Sequence, residues 1–486
     1  MSKTIHSFRA DLKQPWLQAF LLVALIPLLP EYISFFMAVP AMILAWKDMR
    51  QNNRTLRIGT IGKVLLLYIA YMFITTLYSD NFLHSLATVA MWAFFFLVYL
   101  LIYNLLTDSE RCDSLLLCMT GVAGLVGLIA CCQYRVGYFM ESNPIEFWGW
   151  LDEIVFQYLP LSIQSPQYVL RSCSTFNNPN ILAEYLMTTA PFVAYFNFCE
   201  QRRGVRFFCR ICLLFAICGV LFSFSRGGYM ALIALCLALV LLTFRRRFAA
   251  VSTFLISAFI LVPDEVVKRL LSILPGIQVG GKVFNSLAAT EGISGISGNT
   301  ADSHLAPQLT QTPTTITTPA EIINNSAAES AINSRLRVWV ECISEIGERP
   351  LFGYGAGIQN TWDMLYERGI YTVHAHNFIL QTMMEGGLIA LAIMGVLGWL
   401  VVRAGIRLLR NRHTRAFWIG FAVLMFVVAF FIQGLVDYPL LTPKLICNFV
   451  LILAISDRAQ AIYIDKGLPL RKNIARTPKK EEKQAD

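Results

Sequence analysis

The sequence predicts an all-α polytopic membrane protein with a large external loop and about 12 transmembrane helices. Three observations predict it. Of 486 residues, 56% are hydrophobic and only 15% are charged, and the mean hydropathy is +0.56. A soluble domain carries about 25% charged residues, so this chain cannot cover an ordinary water-facing surface. Apolar runs of bilayer-crossing length recur along the chain. Basic residues alternate in density between successive loops. The composition excludes a wholly disordered chain, a collagen-like repeat and a disulfide-stapled mini-protein.

The apolar runs place spans at 15–30, 32–46, 58–78, 84–106, 114–134, 179–199, 207–223, 227–244, 248–263, 377–402, 415–436 and 441–457. Only Pro30 and Glu31 separate the first two, which predicts a tight hairpin. The first run leads into Leu29 and Pro30 with no small-residue cleavage site, so it is expected to stay in the protein. The segments are then a cytoplasmic N-terminus (1–14), nine spans (15–263, with an external loop at 135–178), a large external loop (264–376), three spans (377–457) and a basic cytoplasmic tail (458–486).

The net charge of +9 is a topology signal. With the N-terminus inside, the cytoplasmic loops collect Lys47, Arg50, Arg54 and Arg57, then Arg202, Arg203, Arg206 and Arg210, then Arg245 to Arg247, then Arg403, Arg407, Arg410, Arg412 and Arg415. Every strongly basic short loop falls inside, which predicts a multi-pass protein of the bacterial inner membrane with both termini cytoplasmic. No nucleic-acid partner is expected. The 12 cysteines, among them Cys118, Cys131, Cys132, Cys218, Cys236 and Cys447, lie mostly in apolar runs and read as small membrane-compatible side chains. Cys209 and Cys212 have CxxC spacing without a second pair or a nearby His, so no metal is expected there.

Two external segments are long. Within 135–178, the stretch from Pro144 to Leu151 is aromatic and mildly amphipathic and reads as an interfacial helix. It serves as an anchor or shapes a lipid-facing entrance. Within 264–376, residues 285–332 are rich in Ser, Thr, Ala, Asn, Gly and Pro. They bury too little to offset ordering entropy and read as a flexible insertion.

Three polar clusters on the external side carry the chemistry. The first, Ser223 to Gly228, joins two spans with almost no loop around Arg226. That arginine either snorkels to lipid phosphate or receives an anion in bidentate fashion. In the second, Ser334 is placed to cap a short helix to about Gly347. Arg335 shares its apolar face with Trp339, Cys342 and Ile346, where an unpaired charge is costly, so it is the better ligand candidate. Arg337 shares a face with Glu341 and Glu348 and reads more simply as half of a solvated ion pair with Glu341. The third cluster is Val373 to Asn377, continued by Gln381 and Glu385 as a polar stripe along an apolar helix. Such a stripe faces the protein interior. An imidazole there is suited to take a proton from a hydroxyl. His374 and His376 offer two metal ligands, and no third is visible, so no metal is expected. Elsewhere, Gly353 to Gly357 is a tight-turn segment, Asn178 and Pro179 fit the cap and first turn of a helix, and no P-loop is present.

Taken in order, Ser225-Arg226-Gly227, Ser334-Arg335-Leu336 with Trp339, Arg349 to Gly355, His374-Ala375-His376-Asn377 and Glu385 to Leu388 resemble the O-antigen ligase family, which includes related polysaccharide polymerases. The resemblance covers about 175–455. It implies a C-type-glycosyltransferase-like fold and an activity without cofactor or metal. A glycan moves, with inversion, from an undecaprenyl-diphosphate carrier to a lipid A–core or similar acceptor, with membrane lipids as further partners. By the family pattern His376 is the base, while Arg226 and Arg335 handle the diphosphate. His374, Asn377, Gln381, Glu385, Arg337 and Trp339 are the accompanying candidates for substrate binding, and two histidines compete for one catalytic role. A repeat-unit polymerase is the near alternative. An inorganic-carbon-type transporter is the alternative of another class, against which stand the absence of an internal repeat and of broken helices in the sequence reading.

Overall fold

The computed structural model describes residues 13–29, 31–142, 171–176, 178–241, 335–411 and 414–465, and these are helical with no strand. The helices are α1 (Pro15–Leu25), α2 (Glu31–Gln51), α3 (Thr60–Thr76), α4 (Phe82–Leu105), α5 (Ser109–Ser142), α6 (Pro179–Cys199), α7 (Arg203–Phe222), α8 (Arg226–Leu241), α9 (335–348), α10 (Gln359–Glu367), α11 (Phe378–Arg410), α12 (Thr414–Gly434) and α13 (Pro443–Gln460). Eleven of the expected spans coincide with helices, and the ninth, 248–263, lies outside the described residues. So do the interfacial stretch Pro144 to Leu151, the insertion 285–332 and Ser334. Among the described residues, six helices are long and apolar enough to cross a membrane: α4, α5, α7, α11, α12 and α13. The chain is a multi-pass membrane protein.

Helix starts follow local chemistry. Asn178 caps α6 through the Asn180 amide, with Pro179 in the first turn as expected. Asn377 accepts from the amides of Ile379 and Leu380, and Thr442 caps α13 just ahead of Pro443. At the opposite end Asp457 of α13 reaches across to the Ile61 amide (3.0 Å) and the Tyr99 hydroxyl (2.7 Å), capping α3 from another helix.

Packing places α6 at the centre. Its residues from Ile181 to Phe196 are all buried, against α5, α7, α12 and α13. Small residues set the closest crossings. A methyl group on Gly127 of α5 would lie 2.3 Å from the Phe215 carbonyl oxygen of α7, so the two backbones touch there. Residues 335–376 form a small core of their own, with Val338, Cys342, Ile346, Leu365 and Ile370 packed on Ala375 and Met384.

One expectation is corrected here. The run 377–402 is a broken helix, not a continuous one: Gly387 has φ +64° and ψ −163°, a conformation essentially restricted to glycine. The turn after α9 fills the break. The Tyr354 amide donates to the Met384 carbonyl (2.8 Å), the Gly355 amide to Glu385 (2.9 Å), and the Leu388 amide to Pro350 (2.8 Å). The Tyr71 hydroxyl donates to the Gly386 carbonyl (2.8 Å). The segment Arg349 to Gly355 thus satisfies the backbone groups that the break releases.

Candidate active site

Connectivity brings to one end of the bundle the turn before α6, the α7–α8 turn, the turn before α11 and the α12–α13 turn. The histidines meet a carboxylate there. His374 Nε2 lies 2.9 Å from Asp437 Oδ1, and His376 Nδ1 lies 3.2 Å from the same oxygen. The Tyr438 amide also donates to Oδ1 (3.0 Å), and the Asn180 amide group donates to Oδ2 (3.1 Å). Arg171 donates to Asn180 Oδ1 (2.9 Å) and, through Nε, to the Ser223 carbonyl (3.0 Å).

Burial divides the two imidazoles. The His374 side chain is 5% exposed, Asp437 9% and His376 27%. Burial works against the charge on Asp437, but the hydrogen bonds from both histidines win and hold its carboxyl well below the usual carboxylate range. Burial also lowers the pKa of His374; its bond to Asp437 opposes this, and the fields of His376 and Arg335 add to it. At neutral pH Asp437 is therefore ionised and His374 neutral. The neutral ring donates from Nε2, which leaves His374 Nδ1 as a buried acceptor with no hydrogen-bond partner. His376 has a left-handed backbone, φ +47°, which turns its ring toward Asp437. Its Nε2 meets the Thr372 hydroxyl at 3.0 Å on the more open side.

The supporting frame is polar and buried. Trp339 Nε1 donates to the Ala375 carbonyl (3.0 Å), and the Ala375 amide donates to Gln381 Oε1 (3.0 Å), so the residue between the histidines is pinned from both sides. Gln381 Nε2 donates to Glu385 (2.9 Å), which the Tyr438 hydroxyl also reaches. Gln381 and Glu385 face the interior as expected, and they lie behind the histidines rather than on an open surface. The Asn377 side chain is occupied as a helix cap and as a donor to the Leu435 carbonyl (3.2 Å).

The arginines separate. Arg335 is half-buried, within electrostatic reach of His374. Arg226 opens α8, and the adjacent Gly227 packs on Val436, the residue before Asp437. Arg337 is corrected: it is exposed and donates to the Arg368 carbonyl, while Glu341, its expected partner, is taken by Arg368 (2.5 Å), which also bonds Glu345. The tertiary turn at Arg368 supplies two carboxylates with a cation that sequence spacing does not reveal.

Residues 211–395 match the family model described as O-antigen ligase. This segment is similar to the O-antigen ligase family. No curated protein matches the chain. The ligase-family segment contains Arg226, Arg335, His374 and His376 and ends before Asp437. Asp437, Asn180, Arg171 and Thr372 are the residues that sequence reasoning missed. Asp437 had a visible signal, being the one acid in the short turn between α12 and α13. Asn180 and Arg171 had none beyond being polar near a helix start. A third metal ligand, not visible in the sequence, is also present: one donor atom from each of His374, His376 and Asp437 lies within 4.8 Å of the others. A separate cleft of about 530 Å³, lined by Tyr78 and Glu348 to Gly353, contains none of these residues. That cleft holds Tyr78, Glu348 and Arg349 but no histidine.

Proposed function

We propose that the protein is an inverting glycan transferase of the O-antigen ligase type. It takes a glycan from undecaprenyl diphosphate and places it on a lipid A–core or similar cell-envelope acceptor. The observation that carries this reading is the His376–Asp437 pair, with an open Nε2 on one side and arginine-bearing turns around it. His376 Nδ1–H donates to the ionised Asp437, so the Nε2 lone pair faces outward. The Thr372 hydroxyl marks the position that an acceptor hydroxyl takes. As that hydroxyl attacks the anomeric carbon, its proton passes to Nε2, and Asp437 stabilises the imidazolium. The bond to the diphosphate oxygen breaks on the opposite face. Arg226 and Arg335 stabilise the charge that develops there, and no metal is required.

Orientation follows from the other end of the bundle. Arg202, Arg203, Arg206, Arg407, Arg410, Arg415 and Arg458 collect there, which supports a cytoplasmic position for that end and a periplasmic one for the histidines. The break in α11 gives the transporter alternative its one structural feature. It is filled by Pro350 to Gly355 rather than opened to a cavity, which favours the enzyme.

Transfer tests the proposal. Purified protein, an undecaprenyl-diphosphate glycan and lipid A–core are incubated with EDTA, and a glycan-bearing acceptor is expected. Elongation of the carrier-linked glycan with no transfer to the acceptor would assign a polymerase instead. Absence of both, in protein shown to bind the donor, would overturn the reading.

A further inference from the structure

We propose that His374, His376 and Asp437 form an inhibitory Zn²⁺ site that switches off the general base. The inhibitory half rests on the reading of His376 as that base; the binding half does not. Two imidazole nitrogens and one carboxylate oxygen converge within 4.8 Å, and both nitrogens approach Asp437 Oδ1, at 2.9 and 3.2 Å. Ligands around a tetrahedral zinc ion stand about 3.3 Å apart, so small movements seat an ion among them. This donor set suits zinc and not magnesium or calcium, which take oxygen ligands. Three protein ligands with His376 partly open leave a fourth position for water.

The surroundings already orient the donors. Thr372 holds the far nitrogen of His376, Asn180 holds Asp437 Oδ2, and Trp339 and Gln381 pin Ala375 between the histidines. Such outer partners set ligand direction in built metal sites.

The proton accounting explains the inhibition. Zinc binding requires the lone pairs of His374 Nε2 and His376 Nδ1. Each bound ring then carries its hydrogen on the other nitrogen. His376 becomes a donor from Nε2 to Thr372 and has no lone pair left for an acceptor proton. His374 must place its hydrogen on Nδ1, which is buried without a partner. That cost makes the ion exchangeable rather than resident.

The test uses full-length protein in detergent, stripped with EDTA. Co²⁺ is titrated while its visible absorption is followed, and Zn²⁺ is then used as competitor. One equivalent is expected, with affinity at least about tenfold weaker in His374→Ala and in the near-isosteric Asp437→Asn. It should be unchanged in His84→Ala, an exposed histidine on α4. Zinc should raise the unfolding temperature of wild type and not of the two ligand variants, which separates lost binding from lost folding. In wild type, transfer should fall in step with occupancy and return with EDTA. No saturable binding, or equal binding in both ligand variants, overturns the site; bound zinc with undiminished transfer overturns the switch. Failure of the base reading has its own signature: metal-free His376→Ala that still transfers.

Discussion

His376 Nδ1 and Asp437 Oδ1 lie 3.2 Å apart, although 61 residues separate them, and the contact joins the turn before α11 to the turn after α12. A buried carboxylate on one ring nitrogen fixes the tautomer and leaves the lone pair of the other nitrogen half-open. Asp437→Asn should therefore lower transfer by about 10²- to 10⁴-fold. Initial rates of glycan transfer read the loss, and retained donor binding shows that the fold survives. Near-normal rates would remove Asp437 from the mechanism.

The two histidines should not be equivalent. His376→Ala should abolish transfer while donor binding persists, because Nε2, 3.0 Å from Thr372, is the proposed base. His374→Ala should be less damaging, since that ring is almost fully buried and serves Asp437. The reverse ranking in single-turnover assays would move the base by two residues.

Arginine geometry should matter more than arginine charge. Arg226→Lys keeps the cation and loses the bidentate fork, so transfer should still fall. Arg337→Ala should stay close to wild type, because its side-chain bond to the Arg368 carbonyl is an exposed contact at 3.4 Å. Full activity in Arg226→Lys, measured at saturating acceptor, would exclude bidentate phosphate binding.

The break in α11 should not tolerate a side chain. A Cβ at position 387 would sit 2.3 Å from the Leu351 carbonyl, and its φ of +64° is strained for any L-residue. Gly387→Ala should cost at least about 1–3 kcal/mol, read as a lower unfolding temperature in detergent. An unchanged unfolding temperature would show that the break relaxes freely.

Orientation is open to direct labelling. In a cysteine-depleted background, an impermeant thiol reagent added to whole cells with a permeabilised outer membrane should reach Tyr371→Cys, beside the histidines and 82% exposed. It should miss Arg203→Cys at the basic end. Reversed labelling would place the site in the cytoplasm and remove a periplasmic transfer reaction.

The sequence by itself determined what depends on near neighbours. Apolar runs set eleven helices. Asn178 and Asn377 cap their helices because an Asx side chain reaches amides two and three residues on. Arg335, Trp339, Cys342 and Ile346 share a face because the helical repeat puts them there. The order of short motifs pointed to the family. Tertiary structure alone decided the rest. Asp437 becomes the partner of both histidines only when α11, α12 and α6 pack side by side. Glu341 pairs with Arg368 rather than Arg337 because the chain folds back after α10. Gly387 breaks α11 because the Pro350 to Gly355 segment arrives to bond the freed backbone groups, and an apolar run carries no mark of that arrival. Helical periodicity and capping act over about four residues; a carboxylate's choice of imidazole depends on which helix ends the packing brings within 3 Å.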